Sequence, residues 1–167
     1  MSKKLISIFV SMLLLCGAVL FSGCSNNNAN NEDVSIPSES QEVIDESYEN
    51  NISGLQGFMK DRKYIKGEPR TMSASFIGAK EGYRYDFAGI ITELYEFDLS
   101  NLNSTAKDTL DSIKEKGSFV ILDEEVQAVI SKNGKYIMIY TDNSSRENKN
   151  ERENTVKQGF ESFKENE

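Results

Sequence analysis

Tyrosines and carboxylates are concentrated in one short stretch of the chain, between Gly82 and Asp98. Tyrosine rings and carboxylate oxygens together could form a sugar-binding surface. The apolar face of a sugar ring packs on aromatic rings, and its hydroxyl groups donate hydrogen bonds to carboxylate oxygens. The candidate binding residues are Tyr83, Tyr85, Glu93 and Tyr95. Aromatic residues on strands more often pack a sheet against its helices, so a packing role is the alternative for the same residues.

Four carboxylates in this stretch have the residue types of a glycoside hydrolase, which needs a facing pair of acids. They are Asp86, Glu93, Glu96 and Asp98. Because side chains alternate along a strand, Glu93 faces away from Glu96 and Asp98, and the four do not all converge. We therefore expect no enzyme and assign no catalytic residue. A small carboxylate-dependent hydrolase acting on wall polymers remains an alternative.

The composition excludes most other catalytic and metal chemistry. The chain has no histidine, and its two cysteines are Cys16 and Cys24, so neither a Ser-His-Asp triad nor a usual zinc or copper site is expected. A calcium site of carboxylates is the remaining possibility. The segment from Asp142 to Glu153 begins like an EF-hand loop, but Arg146 occupies its fifth position and Glu147 replaces the required glycine. We expect no metal and no cofactor.

The N-terminus has the layout of a secretory signal that ends in a cysteine. A basic start, an apolar run and two small residues lead to that cysteine: Lys3, Lys4, Leu5 to Leu20, Ser22, Gly23 and Cys24. This arrangement resembles the lipobox of bacterial lipoproteins, from which it departs at Phe21, where leucine is usual. The resemblance implies that Cys24 is lipidated and that residues 1–23 are removed.

A lipidated Cys24 would hold the protein at the outer face of the cell membrane, outside the cytoplasm. An uncleaved membrane anchor and ordinary secretion are the alternatives for the same apolar run. The chain has a net charge of −8, and an acidic chain in this location is not expected to bind nucleic acid. The expected partners are the membrane, through the lipid anchor, and an envelope protein or a wall polymer.

The acidic residues are unevenly distributed along the chain. Residues 24–59 contain seven acidic and no basic residues, whereas residues 60–167 contain 17 basic and 20 acidic residues. Residues 24–42 have almost no apolar side chain, so they predict a disordered polar tether. Residues 43–167 have the length and the apolar content of one domain.

Apolar periodicity and turn residues predict helices and strands throughout this domain. The first and last predicted helices span about 44–62 and 152–164, and a second helix with its cap within 101–104 runs through residue 116. The predicted strands span 82–87, 90–98, 118–122, 126–132 and 135–141. The apolar strand 118–122 is expected at the centre of the sheet. The predicted fold class is α+β, with a mostly antiparallel sheet of about five strands and two or three helices packed on one of its faces.

Two local patterns have a specific structural interpretation. Asn133-Gly134 predicts a two-residue hairpin turn with positive φ at both residues, which would place its flanking strands near the sheet centre. Basic residues also follow the first predicted helix: Lys60, Arg62, Lys63, Lys66 and Arg70. They either favour the helix C-terminus electrostatically or form a patch for lipid headgroups or an acidic wall polymer.

The segment from Ile77 to Asp98 is similar to small uncharacterised lipoproteins of low-GC Gram-positive bacteria, a resemblance that implies no activity. The predicted function is therefore a non-catalytic binding or interaction domain on a lipid-anchored protein. An inhibitor or immunity-type lipoprotein, which blocks a secreted enzyme, is the second possibility beside the hydrolase.

Overall fold

A computed structural model describes residues 45–167 of the chain. Its elements in order are a 3-10 turn (Asp45–Ser47), α1 (Ile52–Asp61), β1 (Arg70–Thr71), a second 3-10 turn (Ala74–Ile77), β2 (Glu81–Phe87), β3 (Ile90–Glu96), α2 (Ser104–Lys116), β4 (Ser118–Ile121), β5 (Glu124–Gln127), β6 (Val129–Ile130), β7 (Tyr136–Asp142) and α3 (Lys149–Ser162). The predicted signal segment 1–23 and the tether 24–42, with Cys24 at its start, lie outside the described residues.

Five strands form one antiparallel sheet in the order β1-β2-β3-β7-β6, and β4 and β5 form a separate two-stranded sheet. Together with the three helices, this architecture confirms the predicted α+β fold class. The central strand is β3, which pairs along its whole length with β2 and with β7.

The two faces of the main sheet are both partly covered. On the first face, the ring of Phe163, just after α3, lies 5.0 Å from that of Phe58 in α1 and 5.5 Å from that of Tyr136 in β7. On the second face, Tyr95 and Ile137 belong to a buried cluster with α2. Its α2 members are Ala106, Leu110 and Ile113. The expectation of helices on one face is therefore wrong, because β3 and β7 carry apolar residues at successive positions and need cover on both sides.

The segment 118–122 is not a central strand, contrary to the prediction. Its strand, β4, pairs with β5 alone among the described strands, in a hairpin outside the main sheet. Phe119 is buried, but Val120 is 68% exposed and Leu122 is 84% exposed. An apolar run can thus lie half outside the core when its alternate side chains face solvent. The turn of this hairpin is at Leu122 and Asp123, which both have positive φ.

The helix boundaries follow their capping residues. Helix α1 begins at Ile52, later than the predicted start near residue 44, because the Asn51 side chain accepts a hydrogen bond from the Gly54 N–H at 2.8 Å. Helix α2 has its N-cap at Asn103, inside the predicted cap region, and ends at the predicted stop, Gly117, which has a φ of 71°. Helix α3 begins three residues before its predicted start, and its predicted inward residues are buried: Val156, Phe160 and Phe163.

The hairpin of β6 and β7 forms, but its turn differs from the prediction. The Gly134 N–H donates to the carbonyl of Ser131 at 2.8 Å, so Lys132 and Asn133 are the central residues of the turn. Gly134 has a φ of 74°, whereas Asn133 does not have positive φ. The Asn133 side chain instead accepts hydrogen bonds from the Ser131 hydroxyl and from the Lys135 N–H. The prediction for its strands is only half right, because β7 is an inner strand while β6 lies at the edge.

Candidate functional site

The four predicted binding residues do not form one surface. Tyr83 and Tyr85 lie on the first face of the sheet, whereas Glu93 and Tyr95 lie on the second. Tyr85 is 2% exposed and Tyr95 is 6% exposed, which is the burial that the alternative packing role requires. The Tyr95 hydroxyl donates to Glu93 Oε2 at 2.9 Å, and burial together with this carboxylate raises the pKa of Tyr95.

The carboxylates of the same strands are held apart or paired with arginines. Glu93 lies 3.0 Å from Arg84, whose guanidinium also lies 3.8 Å from Asp86. Glu96 lies on the opposite face, as predicted, and Asp98 accepts hydrogen bonds from the N–H and the hydroxyl of Ser100. The geometry therefore provides charge pairs across the sheet and not two facing acids around a cleft.

A small pocket on the first face brings together polar groups from four different elements. Tyr85 of β2 and Thr92 of β3 lie side by side in it, because they pair in the strand register. The pocket is lined by Tyr64, Ile65, Lys66, Tyr85, Phe87, Ile90, Thr92 and Arg152. Its free volume of about 10 Å³ has room for about one water molecule.

Arg152 is the charged group of this pocket. It lies in the first turn of α3 and is only 3% exposed. Its Nε donates to the Tyr140 hydroxyl at 3.2 Å, and its Nη1 has no hydrogen-bond partner. Across residues 45–167, no carboxylate lies within ion-pairing distance of this guanidinium.

The position of Arg152 is energetically unfavourable for a cation on two counts. A buried charge without a counter-ion costs several kcal/mol in lost hydration, and the first turn of a helix repels cations through the helix dipole. Protein folding alone gives no reason to keep arginine there. A buried cation of this kind marks a candidate binding site for an anionic group.

Tyr85 supplies a second polar group to the same pocket. Its hydroxyl is buried and has no hydrogen-bond partner. Burial, with a smaller effect of Glu68, raises the pKa of Tyr85 to about 12. Burial also raises the pKa of Tyr140, although Arg152 opposes that shift. Both phenols therefore stay protonated at neutral pH, so they can donate hydrogen bonds and give Arg152 no negative charge.

Two of the predicted basic residues flank this pocket. Lys66 Nζ lies 5.5 Å from the ring centre of Phe87, and Lys60 Nζ lies 5.6 Å from that of Tyr85. Asp142 lies on the same face of the sheet, opposite Ile90 in the strand register. Its Oδ1 accepts from the Ser144 N–H at 2.9 Å, while its buried Oδ2 has no partner.

One wall of the pocket depends on a glycine in α3. A Cβ atom at Gly159 would lie 2.2 Å from Cε2 of Tyr64, which is far inside van der Waals contact. The absence of a side chain at Gly159 therefore allows the Tyr64 ring to pack directly against the helix backbone. Tyr64 is 8% exposed, so its position is fixed by this contact.

Arg152 was not among the residues predicted from the sequence, although a signal for it exists. It precedes Val156 by four residues and Phe160 by eight, which places it on the inward stripe of the last predicted helix. An arginine on an apolar stripe is a buried-charge candidate. Its neighbours on β2 and β7 could not be identified from the spacing alone.

Searches against protein-family models, curated proteins and solved structures find no match to this chain. Within residues 45–167, no helix is long and apolar enough to cross a membrane. The same part of the chain contains no group of three or more acidic or cysteine side chains placed to hold a metal ion. The assignment of a function therefore rests on the geometry of the pocket and on the sequence.

Proposed function

We propose that this protein is a lipoprotein, anchored through Cys24 at the outer face of the cell membrane, whose folded part is a non-catalytic binding domain. In this proposal the Arg152 pocket holds an anionic group of the ligand. The observation that supports binding is the buried guanidinium without a counter-ion. The expected partner is an envelope protein or a wall polymer, either of which can present such a group.

The anchor is supported by the sequence before Cys24. A basic start, an apolar run and small residues at the cleavage position are the features of a processed signal, whereas a membrane anchor needs no cysteine there. Two or more acyl chains give stable membrane attachment. Replacing Cys24 with alanine should abolish incorporation of labelled fatty acid. Incorporation at the level of the unchanged protein would disprove this part of the proposal.

The binding role is supported by the way in which the pocket combines charge and donors. Arg152 and Tyr85 each leave one buried donor unused, and the nearby phenols are neutral at physiological pH. A bound anion would satisfy both donors and recover part of the hydration energy that Arg152 loses on folding. A purely structural arginine would be expected to have a carboxylate partner, as Arg84 has in Glu93.

An anion that binds only the folded state raises the unfolding temperature, because binding at a free anion concentration L stabilises that state by RT ln(1 + L/Kd). We would measure thermal unfolding of the lipidated chain in detergent with acetate, phosphate or sulfate at constant ionic strength, against chloride. At least one anion should raise the midpoint. Arg152→Met should remove this effect, whereas Lys149→Met, which removes an exposed charge from the same helix, should not. Equal effects in all three proteins would contradict the pocket.

A further inference from the structure

The two unused donors in the pocket restrict the kind of anion that it can accept. Arg152 Nη1 and the Tyr85 hydroxyl are both buried, both lack partners, and both belong to residues that line the same cavity. A carboxylate has two oxygens, which these two donors can satisfy. A phosphate has additional oxygens, and each one that is buried without a donor is unfavourable.

The charge balance of the pocket also limits the ligand to a single negative charge. Arg152 and Lys66, which both line the pocket, contribute two positive charges, and Asp142 on the same face of the sheet contributes one negative charge. Glu153 is already paired with Lys157 at 2.6 Å. A phosphate group with a charge near −2 would therefore leave an excess of negative charge at the site. A carboxylate leaves the site close to neutral.

The walls of the pocket indicate what the carboxylate is attached to. Apart from Lys66 and Thr92, the groups around the two donors are aromatic or aliphatic: Tyr64, Ile65, Phe87 and Ile90. Such walls favour an apolar neighbour of the charged group, since burying apolar surface is favourable by about 25 cal/mol per Å². The free volume is that of about one water molecule, so a carboxylate enters only when the side chains at the rim move apart, and the rest of the ligand stays outside.

From this geometry we infer that the pocket binds a carboxylate carried on an apolar group, such as a short aromatic or aliphatic acid or the equivalent end of a larger molecule. The carboxylate would accept hydrogen bonds from Arg152 and Tyr85, and its apolar part would contact Tyr64 and Phe87. This inference rests on the proposed function and specifies its ligand class. The inferred ligand binds reversibly, and no covalent bond is made or broken.

Three ligands that share a phenyl ring test the inference directly. Benzoate has the carboxylate, benzamide has the same shape without the charge, and phenyl phosphate has a larger and more highly charged anion. Saturation-transfer NMR with the lipidated chain in detergent measures binding of each. We expect benzoate to bind and the other two not to bind. The effect of acetate, which lacks the ring, should be weaker than that of benzoate.

Protein variants then assign the binding to the pocket. Arg152→Met should abolish the benzoate signal, and Arg152→Lys should weaken binding by about tenfold or more because lysine lacks the planar pair of donors. Tyr85→Phe should weaken it by about tenfold or more, the effect of one hydrogen bond to a charged acceptor. Lys149→Met should leave it unchanged. Unaltered binding in Arg152→Met would overturn the inference.

The outcomes distinguish the inference of a carboxylate ligand from the broader proposal that the pocket binds an anion. Binding of phenyl phosphate alone, lost in Arg152→Met, would overturn the carboxylate inference and leave an anion-binding function in place. Binding of all three ligands would show a site for the phenyl ring and would overturn the inference as well. If no ligand binds and no anion changes the unfolding temperature, both proposals fail, and the cavity holds a water molecule between Arg152 and Tyr85.

Discussion

Glu96 and Arg152 are both 3% exposed, and both lie on the first face of the same sheet, yet their surroundings differ completely. Glu96 Oε2 accepts from the Ile52 N–H at 2.7 Å, and its Oε1 lies 3.3 Å from Lys135 Nζ and 3.4 Å from Lys80 Nζ. Arg152 has one neutral hydroxyl as its hydrogen-bond partner. Burial alone therefore does not distinguish a structural charge from a binding charge, whereas the set of partners does.

The role of Glu96 is to fix the first helix to the central strand. Its carboxylate takes the free N–H at the start of α1, which is 44 residues away in sequence, and carries the negative charge that a helix N-terminus favours. The same carboxylate is the main cause of a raised pKa at Lys80. Every part of this arrangement is satisfied within the chain, and no ligand is needed.

The largest effect is expected for Glu96→Ala. This change leaves the Ile52 N–H without its acceptor and two lysines without their shared partner, so the free energy of unfolding should fall by about 2–4 kcal/mol. Glu96→Gln retains an acceptor and should lose less. Urea unfolding at neutral pH measures both, with the exposed Glu124→Ala as the control. A loss of under about 1 kcal/mol for Glu96→Ala would refute the structural role.

A smaller loss in the free energy of unfolding is expected for Gly159→Ala. This change alters the shape of the Arg152 pocket and leaves the charges of Arg152 and Glu96 in place. The added methyl group would displace the Tyr64 ring, at a cost of about 1–3 kcal/mol. The better helix propensity of alanine offsets about 1 kcal/mol of that. Gln158→Ala, at the exposed neighbouring position, serves as the control in the same unfolding experiment. If Gly159→Ala is as stable as its control, the Tyr64 contact does not restrict this position.

Arg152→Met should leave the free energy of unfolding unchanged or raise it by up to about 4 kcal/mol. The variant loses the hydrogen bond to Tyr140, but it also removes a buried charge, and replacing buried charges with apolar groups is often neutral or stabilising. Urea unfolding of Arg152→Met beside Glu96→Ala tests the comparison directly. An equally large loss in both would show that Arg152 is structural.

The smallest effect is expected for pH changes between 6 and 9, where the phenols of Tyr85 and Tyr140 stay protonated because their pKa values are raised. Above pH 10 the change in stability is set by Tyr85, whose pKa of about 12 in the folded state exceeds its ordinary value of 10.0. The unfolded chain then loses this proton first, so stability is complete below pH 10 and falls as pH rises toward 12. The raised pKa values of Tyr95, Tyr136 and Tyr140 act in the same direction.

Urea unfolding at several pH values measures this profile, and phenolate absorbance follows the tyrosines in the same samples. Tyr85→Phe should make the fall above pH 10 less steep. A fall in stability between pH 7 and 9 would contradict the assignment, since it would require a group that titrates in that range.

The features predictable from the sequence are those set by local chemistry. Alternation in β2 and β3 and the caps of α2 depend on residues a few positions apart, and the structure has these elements where they were predicted. The strand 118–122 was placed wrongly because its apolar content does not reveal which partner strand is available. The start of α1 was placed too early, since apolar spacing continues through residues before the Asn51 cap.

The candidate site was not predictable in the same way. Arg152 contacts Tyr140 and shares a cavity with Tyr85, which lies 67 residues earlier in the chain. That proximity depends on the pairing of β2 with β3 and of β3 with β7 and on the position of α3 above them. Tyr83, Tyr85 and Tyr95 were predicted as candidates for one binding surface, but their separation onto two faces follows only from the register of the strands.

The attachment of residues 50–52 to the sheet has a mechanical consequence if Cys24 carries the anchor. Lys135 Nζ donates to the carbonyl of Asn50, the Tyr136 hydroxyl donates to Asn50 Oδ1 at 2.7 Å, and the Ile52 N–H donates to Glu96. Tyr48 is attached to α1, since its ring contacts that of Phe58 and its hydroxyl donates to Asp61 at 2.6 Å. A pull from the membrane would therefore reach the domain at α1, and then at β3 and the start of β7, and not at either edge strand. The three contacts of residues 50–52 share the load, so the sheet is protected from being peeled apart strand by strand under tension.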